Sequence, residues 1–299
     1  MSITLQCKSP VLPESLRQLL AARAGTLQIM PAIAARALTV ARDPGCTATD
    51  FTTLVQRDTK LAGDTLAMAN VSLFSGGRVI RTLHQAVLNL GFRHCQNLIL
   101  SASMAAMMKQ ITMEEEWVRD VLTQHGFLTG LLGNWMNQLT GCGFQGEEFA
   151  AGLMHDIGRT LIAVCVPDKF RQFDPMEFQE DPETLTYEQS VLDSDHCEVG
   201  AWFAECNGLP TEFVDVIRYH HQPEQCPGNQ RLVALIAVCD HMANHLYCTG
   251  TPDGYDLDSN HAVAVLETSG PANAGARIRE AHYQMMKSAI RESHQQMSM

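Results

Sequence analysis

Apolar residues recur every three or four positions along most of the chain, and strict alternation is hard to find, so the pattern predicts helices almost throughout. Local punctuation agrees. TATDFTTLVQ opens on Thr47 and places Asp50 three residues on, a capping-box-like start. TLHQAVLNLG repeats the device with Thr82 and Gln85 and ends at Gly91, a suitable C′ residue. Pro210 in LPTEFVDVI suits the first turn of another helix. The expected architecture is all-α, in two helical lobes covering residues 12–111 and 113–248. The turn formers of TGTPDGYDLDS at 249–259 then read as a linker. A last amphipathic helix, about 271–295 of the closing 249–299 stretch, packs back or contacts a partner. Segment 167–186, with Pro167, Pro175 and Pro182, is expected to be the least regular.

Charge narrows the function classes. The 299 residues carry a formal net charge of −12, which gives no electrostatic basis for a general DNA- or RNA-binding surface. A small anionic ligand stays open, because a metal or a few arginines can invert the field of one pocket. The longest apolar run considered, LVALIAVC at 232–239, stops at Asp240 and is too short for a bilayer, so no membrane association is expected. The N-terminal stretch lacks the apolar core of a secretion signal, and the expected compartment is cytoplasmic. Ten cysteines without a CxxC pair argue against a zinc ribbon and fit buried thiols in a reducing compartment.

Polar residues interrupt three of the apolar stripes. Over 113–141, Trp117, Val121, His125, Leu128, Leu132, Trp135 and Leu139 step by four and three, which puts His125 in the middle of a core-facing stripe. In AAGLMHDIGRTLIAV at 150–164, His155 and Asp156 sit in an apolar helix between Gly152 and Gly158, and the glycines admit a close neighbour. Adjacent helical side chains point about 100° apart, so both reach one ion only if it lies between them, close to the helix. Over 229–247, Val233, Ile236, Asp240, Ala243 and Tyr247 share a face, which buries a carboxylate. Each polar residue alone has an ordinary reading, a backbone-bonded core histidine or a salt-bridged aspartate. Together, His125, His155, Asp156 and Asp240 form a nitrogen and oxygen donor set suited to a divalent Fe, Mn, Zn or Mg. His196 in SDHCEVGAWF and the pair His220 and His221 in RYHHQPE either extend this to two metals or support the first ligands by hydrogen bonds.

The same residues carry a family resemblance. AAGLMHDIGRTLI resembles the signature of the HD superfamily of metal-dependent phosphohydrolases, and DHCEVGAWFAECNGLPTEFVDVIRYHHQPE resembles the segment that follows it in HD-GYP and HDOD proteins. IMPAIAARALTVARDP, DTKLAGDTLAMAN and RTLHQAVLNLGFRHCQNLIL are similar to HDOD segments in the HDOD order, over roughly residues 12–245. The resemblance implies two helical lobes, the second an HD-like bundle. It also implies a bacterial signal-transduction output or scaffold module that works with signalling proteins, without established hydrolase activity. A homodimer contact is compatible with it. By position, His125, His155, Asp156 and Asp240 match the HD metal ligands. His196 and His220 or His221 match the extra histidines of the HD-GYP site. No GYP turn follows HHQPEQCPGNQ, and Arg159 stands where a lysine is usual; both departures favour HDOD. Val71 and Gly126 depart from the HDOD pattern itself. The alternative function is a metal-dependent phosphohydrolase acting on a phosphodiester or nucleotide, with Arg159 or Lys169 binding phosphate.

Overall fold

The structure is a computed structural model, and it describes residues 12–24, 32–40, 43, 45–70, 79–174, 176, 178 and 183–297. Among the described residues every regular element is helical, and no strand occurs. In chain order the α-helices are α1 (Glu14–Ala24), α2 (Ala32–Val40), α3 (Ala48–Val55), α4 (Thr59–Ala69), α5 (Leu83–Leu90) and α6 (Phe92–Gln110). They continue as α7 (Glu116–Thr140), α8 (Glu147–Met154), α9 (Ile157–Cys165), α10 (Pro167–Phe173), α11 (Thr184–Leu192) and α12 (His196–Cys206). The last four are α13 (Thr211–Tyr219), α14 (Gln230–Thr249), α15 (Ala262–Ser269) and α16 (Ala274–Met297).

The caps form as the local sequence dictates. The Thr47 hydroxyl accepts from the Asp50 N–H while the Asp50 carboxylate accepts from the Thr47 N–H, closing both halves of the box. Thr82 caps α5 through the Gln85 N–H, but the Gln85 side chain accepts from Arg81 N–H rather than closing a box. Gly91 separates α5 from α6 at φ 87°, a backbone conformation that favours glycine. Pro210 caps α13 from just outside, one residue before the position expected. Asn70 ends α4 and pins the returning chain, donating to the Leu66 and Ile80 carbonyls and accepting from the Ile80 N–H. Phe74, with Asn70 a candidate for interlobe or partner contacts from the sequence, lies outside the described residues.

Around α7 the packing is dense. It lies against α8, α14 and α16, while α9 packs on α12 and α12 on α13. The last helix therefore folds back along α7, and α15 stands between it and α14 in sequence, an element the linker reading did not foresee. Helices α4 and α6 pair with each other, α6 reaches α8, and α1 rests on α9, where the Arg23 guanidinium donates to the Cys165 carbonyl. One continuous hydrophobic cluster joins all of these, from Leu12 to Ala289. Phe149, Phe203 and Phe213 are almost fully buried in it, and each contributes about 1.5–3 kcal/mol relative to an exposed side chain.

The buried face of α7 differs at its N-terminal end from the expected stripe. Trp117 is 52% exposed, and the buried line there runs through Val118, Leu122, His125 and Thr129. Trp117 instead bonds its ring N–H to the Glu115 carboxylate at the surface. Likewise Tyr247, expected on the buried face of α14, is 40% exposed. Of the proline-rich segment, Pro167–Phe173 is a regular helix begun by its own proline, and Pro175 and Pro182 lie outside the described residues.

Candidate metal centre

The helix expected across 150–164 is broken where it matters. α8 ends at Met154, His155 and Asp156 form the turn, and α9 begins at Ile157 with Asp156 at φ −97° and ψ 18°. The break removes the 100° restriction of a continuous helix, so both side chains turn inward. Two glycines make the junction compact. A Cβ on Gly152 would meet the Gly130 backbone nitrogen of α7 at 2.6 Å, and one on Gly158 would meet the His196 carbonyl oxygen of α12 at 1.8 Å.

Four helices deliver side chains to the space around this turn. His125 comes from mid-α7 and Asp240 from mid-α14. His196 begins α12, whose N-cap Asp195 accepts from the Glu198 N–H. His220 closes α13, and His221 follows it. His125 Nε2 lies 2.9 Å from Asp240 Oδ1 and 3.2 Å from His155 Nε2. His155 Nε2 lies 3.3 Å from the same Asp240 oxygen. Asp156 straddles the constellation. Its Oδ2 faces His125 and His155 at 3.7 and 3.6 Å, and its Oδ1 faces His196 and His220 at 3.5 and 3.6 Å. Except for half-buried His221, all of these residues are buried.

Their tautomers follow from their other bonds. His155 Nδ1 is 2.7 Å from the Gly152 carbonyl, and His220 Nδ1 is 3.0 Å from that of Ile217. A carbonyl only accepts, so each Nδ1 donates, and in a neutral ring Nε2 presents a lone pair inward. His196 Nδ1 is held in the same sense by the Glu188 carboxylate at 2.8 Å, which also accepts from the His196 backbone N–H. In the neutral tautomer each of these rings turns a lone pair toward a carboxylate oxygen, an arrangement that a cation satisfies, whether a metal ion or a proton on the ring. His125 Nδ1 is buried without a hydrogen-bond partner. A metal on its Nε2 would fix that ring without help from Nδ1. The donor chemistry therefore fits a divalent metal held by His125, His155, Asp156 and Asp240, with His196, His220 and His221 alongside.

Electrostatics points the same way. Burial raises the Asp156 and Asp240 carboxyls, but His155 with Arg159 overcompensates at Asp156, and His155 with His125 at Asp240, so both stand well below the usual carboxylate range. Burial lowers His196 and His220, yet the Cys197 sulfur, with Glu188 at His196 and Asp156 at His220, carries both well above the usual imidazole value. His221 is held well below it, by burial and by its His220 and His196 neighbours. Without a metal, the pocket takes up protons instead.

The two expected phosphate ligands are placed otherwise. Arg159 Nη1 donates to Asp156 Oδ2 at 2.9 Å, and its Nε and Nη2 clamp Asp174 at 2.7 and 2.9 Å. Its guanidinium also stacks on the Phe178 ring, 4.4 Å from the centroid. Arg159 thus orients Asp156 and has no free edge for an anion. Lys169 is exposed and donates to the Val191 carbonyl at 2.9 Å, apart from the histidines. Phe178 also covers His125, with centroids 4.6 Å apart, and shares with His221 the wall of a cavity of about 660 Å³. Its lining also includes His241, His245, Tyr255 and His261. Sequence reading missed Asp174, Phe178, Glu188 and Cys197. Only Cys197 was legible, as the neighbour of a candidate ligand; the others lie where periodicity carries no such signal.

Fold and pocket define the class, an all-helical protein built around an HD-type histidine–aspartate turn. Residues 27–223 match the HDOD domain family, and the chain belongs to that family. A crystal structure of an HDOD domain protein of unknown function from Geobacter sulfurreducens superposes with a TM-score of 0.69 at 22% identity, over 94% of this chain and 98% of that one. A Shewanella amazonensis SB2B protein, provisionally described as a phosphohydrolase, superposes with a TM-score of 0.67 at 18% identity, over 92% and 98%. An uncharacterised protein of Treponema pallidum (strain Nichols) is 24% identical over 228 residues, 75% of this chain. The chain spans 44% of the length of that curated relative. No described helix is long and apolar enough to cross a membrane.

Proposed function

We propose that this chain is a signal-transduction output module whose HD-type pocket holds a divalent metal, and through it a small anionic ligand, without hydrolysing it. The observation that carries the reading is the inward convergence of the His155, His196 and His220 Nε2 atoms on Asp156 and Asp240, which a bound cation satisfies. The case against turnover rests on the side chains around it. The pocket arginine is spent on Asp156 and Asp174, and among the described residues lining the adjoining cavity none is Lys or Arg. An anion there depends on the metal and on neutral or protonated imidazoles. Signalling follows if ligand binding differs between two arrangements of the helices, which then present different surfaces to partner proteins. We place the working boundaries at 12–111, 113–248 and 249–299, with action in the cytoplasm of a bacterium.

The second reading, a metal-dependent phosphohydrolase, is favoured by the way Asp156 offers one oxygen to each side of the constellation. A bound metal would supply Lewis-acid activation of a phosphate oxygen. The residues of the chain would hold it, orient Asp156 through Arg159, and exclude bulk water beneath Phe178.

Elemental analysis of full-length protein, prepared without chelator or histidine tag, tests the pocket. The double variant His155→Ala with Asp156→Ala is expected to lose at least about tenfold in bound metal. Unchanged metal content would sink the assignment. Assays on cyclic dinucleotides and a generic phosphodiester, with Mn²⁺ or Fe²⁺ added, separate the two readings. Turnover above the double variant would establish the enzyme in place of the binding module.

A further inference from the structure

One donor in the second half of the constellation is not a histidine. Cys197 follows His196 on α12, is buried, and places its Sγ 3.5 Å from His196 Nε2 and 4.0 Å from His220 Nδ1. His196, Cys197, His220 and His221 each bring one ligand atom into a shared space, all within 4.8 Å of one another. In tetrahedral zinc sites nitrogen stands about 2.0–2.1 Å from the metal and sulfur about 2.3 Å, which separates two nitrogens by about 3.4 Å and nitrogen from sulfur by about 3.5 Å. The His196 and His220 Nε2 atoms are 3.4 Å apart, and Sγ is 3.5 Å from the first of them. An ordinary thiol hydrogen bond would account for Cys197 and His196 alone. It would not account for His220 and His221 bringing ligand atoms into the same space.

We propose that Cys197 is a thiolate ligand of a second metal position, formed with His196, His220 and His221 and selective for a thiophilic ion such as Zn²⁺, Fe²⁺ or Co²⁺. The inference rests on the reading of the pocket as a metal centre. It divides that centre into two chemically unlike halves. His125, His155, Asp156 and Asp240 offer nitrogen and oxygen only, which Mn²⁺ and Mg²⁺ also accept, whereas a thiolate excludes those harder ions. On binding, the Cys197 S–H bond breaks, its proton passes to water, and a sulfur–metal bond forms with no change of oxidation state.

Cobalt titration of the full-length, metal-stripped protein under reducing conditions tests this with Co²⁺ alone as the probe. Visible d–d bands report any tetrahedral or five-coordinate cobalt, and a near-ultraviolet charge-transfer band reports a thiolate on it. The expected result is both signals in the parent chain. In Cys197→Ser the charge-transfer band is lost, and cobalt affinity at this position falls about tenfold or more. Cys248→Ser, which alters an exposed thiol, leaves both signals unchanged. Cys197→Ala is the second variant, with its helical circular dichroism compared to the parent, so that misfolding is not read as ligand loss. Cobalt bound with d–d bands but no thiolate band, or a band that survives in both Cys197 variants, overturns this inference and leaves the metal centre standing. Absence of any cobalt binding overturns the metal centre, and this inference with it.

Discussion

Between Ala48 and Gln110 the buried hydroxyls turn back on their own helices, whereas between Glu116 and Thr249 buried imidazoles and carboxylates face one another across helices. Thr52, Thr65, Ser101 and Ser103 each donate to the carbonyl four residues earlier. Such a group is satisfied wherever its helix forms and says nothing about a ligand. Thr129 and Thr140 behave in the same way in the second region. His125, His155, Asp156 and Asp240 do not, since the imidazole Nε2 atoms and the carboxylate oxygens point at one another. Burial alone therefore does not mark a site. What marks it is a set of buried titratable groups from separate helices whose donor atoms crowd one shared space.

Glu148 sharpens the contrast within the second region. It is buried on α8 and accepts from the Gly146 N–H at 3.0 Å. No imidazole or guanidinium faces it as at Asp156, and burial pushes its carboxyl up to about 7. Two buried carboxylates, one on α8 and one in the turn that follows it, thus move in opposite directions, and the difference is the company of nitrogen.

These contrasts break in measurable ways. The largest structural effect is expected at Gly158→Ala. Its new methyl would overlap the His196 carbonyl, so α9 and α12 must separate. Denaturant titration should show a loss of about 3 kcal/mol or more, with metal content falling alongside. A neutral result would mean that the HD turn and α12 are not held in register by backbone contact. Glu148→Gln comes next. A carboxyl whose folded pKa is raised keeps its proton while the unfolded chain loses one, so stability falls as pH rises between about 4.3 and the folded value of about 7. Parent protein should lose on the order of 2–3 kcal/mol across that window, and the variant should lose much less. Equal slopes would show that Glu148 is solvated. Asn70→Ala is expected to cost about 1–3 kcal/mol, because Ile80 loses partners for both its N–H and its carbonyl. Metal content should stay at the parent level. A fall in bound metal would mean that the first region reaches the pocket, contrary to the division drawn here.

Much of the fold was legible because helix signals are local. The Thr47 box and the Gly91 stop act within a turn of the chain and hold in the fold, whereas Thr82 keeps its cap without the box that Gln85 was expected to close. The α7 stripe failed at Trp117 for the complementary reason. Periodicity gives the angular spacing of a face, but neighbours decide how far along the helix that face is covered. α15 was missed because it is short and follows a turn-rich stretch. At the site, His125 and Asp240 were found as polar breaks in apolar stripes, and His155 and Asp156 by their position between glycines. Glu188 and Asp174 gave no such break, since a carboxylate in a mixed segment looks like any surface residue.

The chain itself determined the helical class, the cap positions, and which faces of three helices carry a polar residue into the core. Only tertiary packing decided that the chain breaks at His155 and Asp156, that Arg159 is occupied by Asp174, and that the Nε2 atoms of His155, His196 and His220 point inward. Helical periodicity is set by backbone geometry over a few residues. The direction of a ring nitrogen is set by whichever carbonyl or carboxylate arrives from a distant part of the sequence.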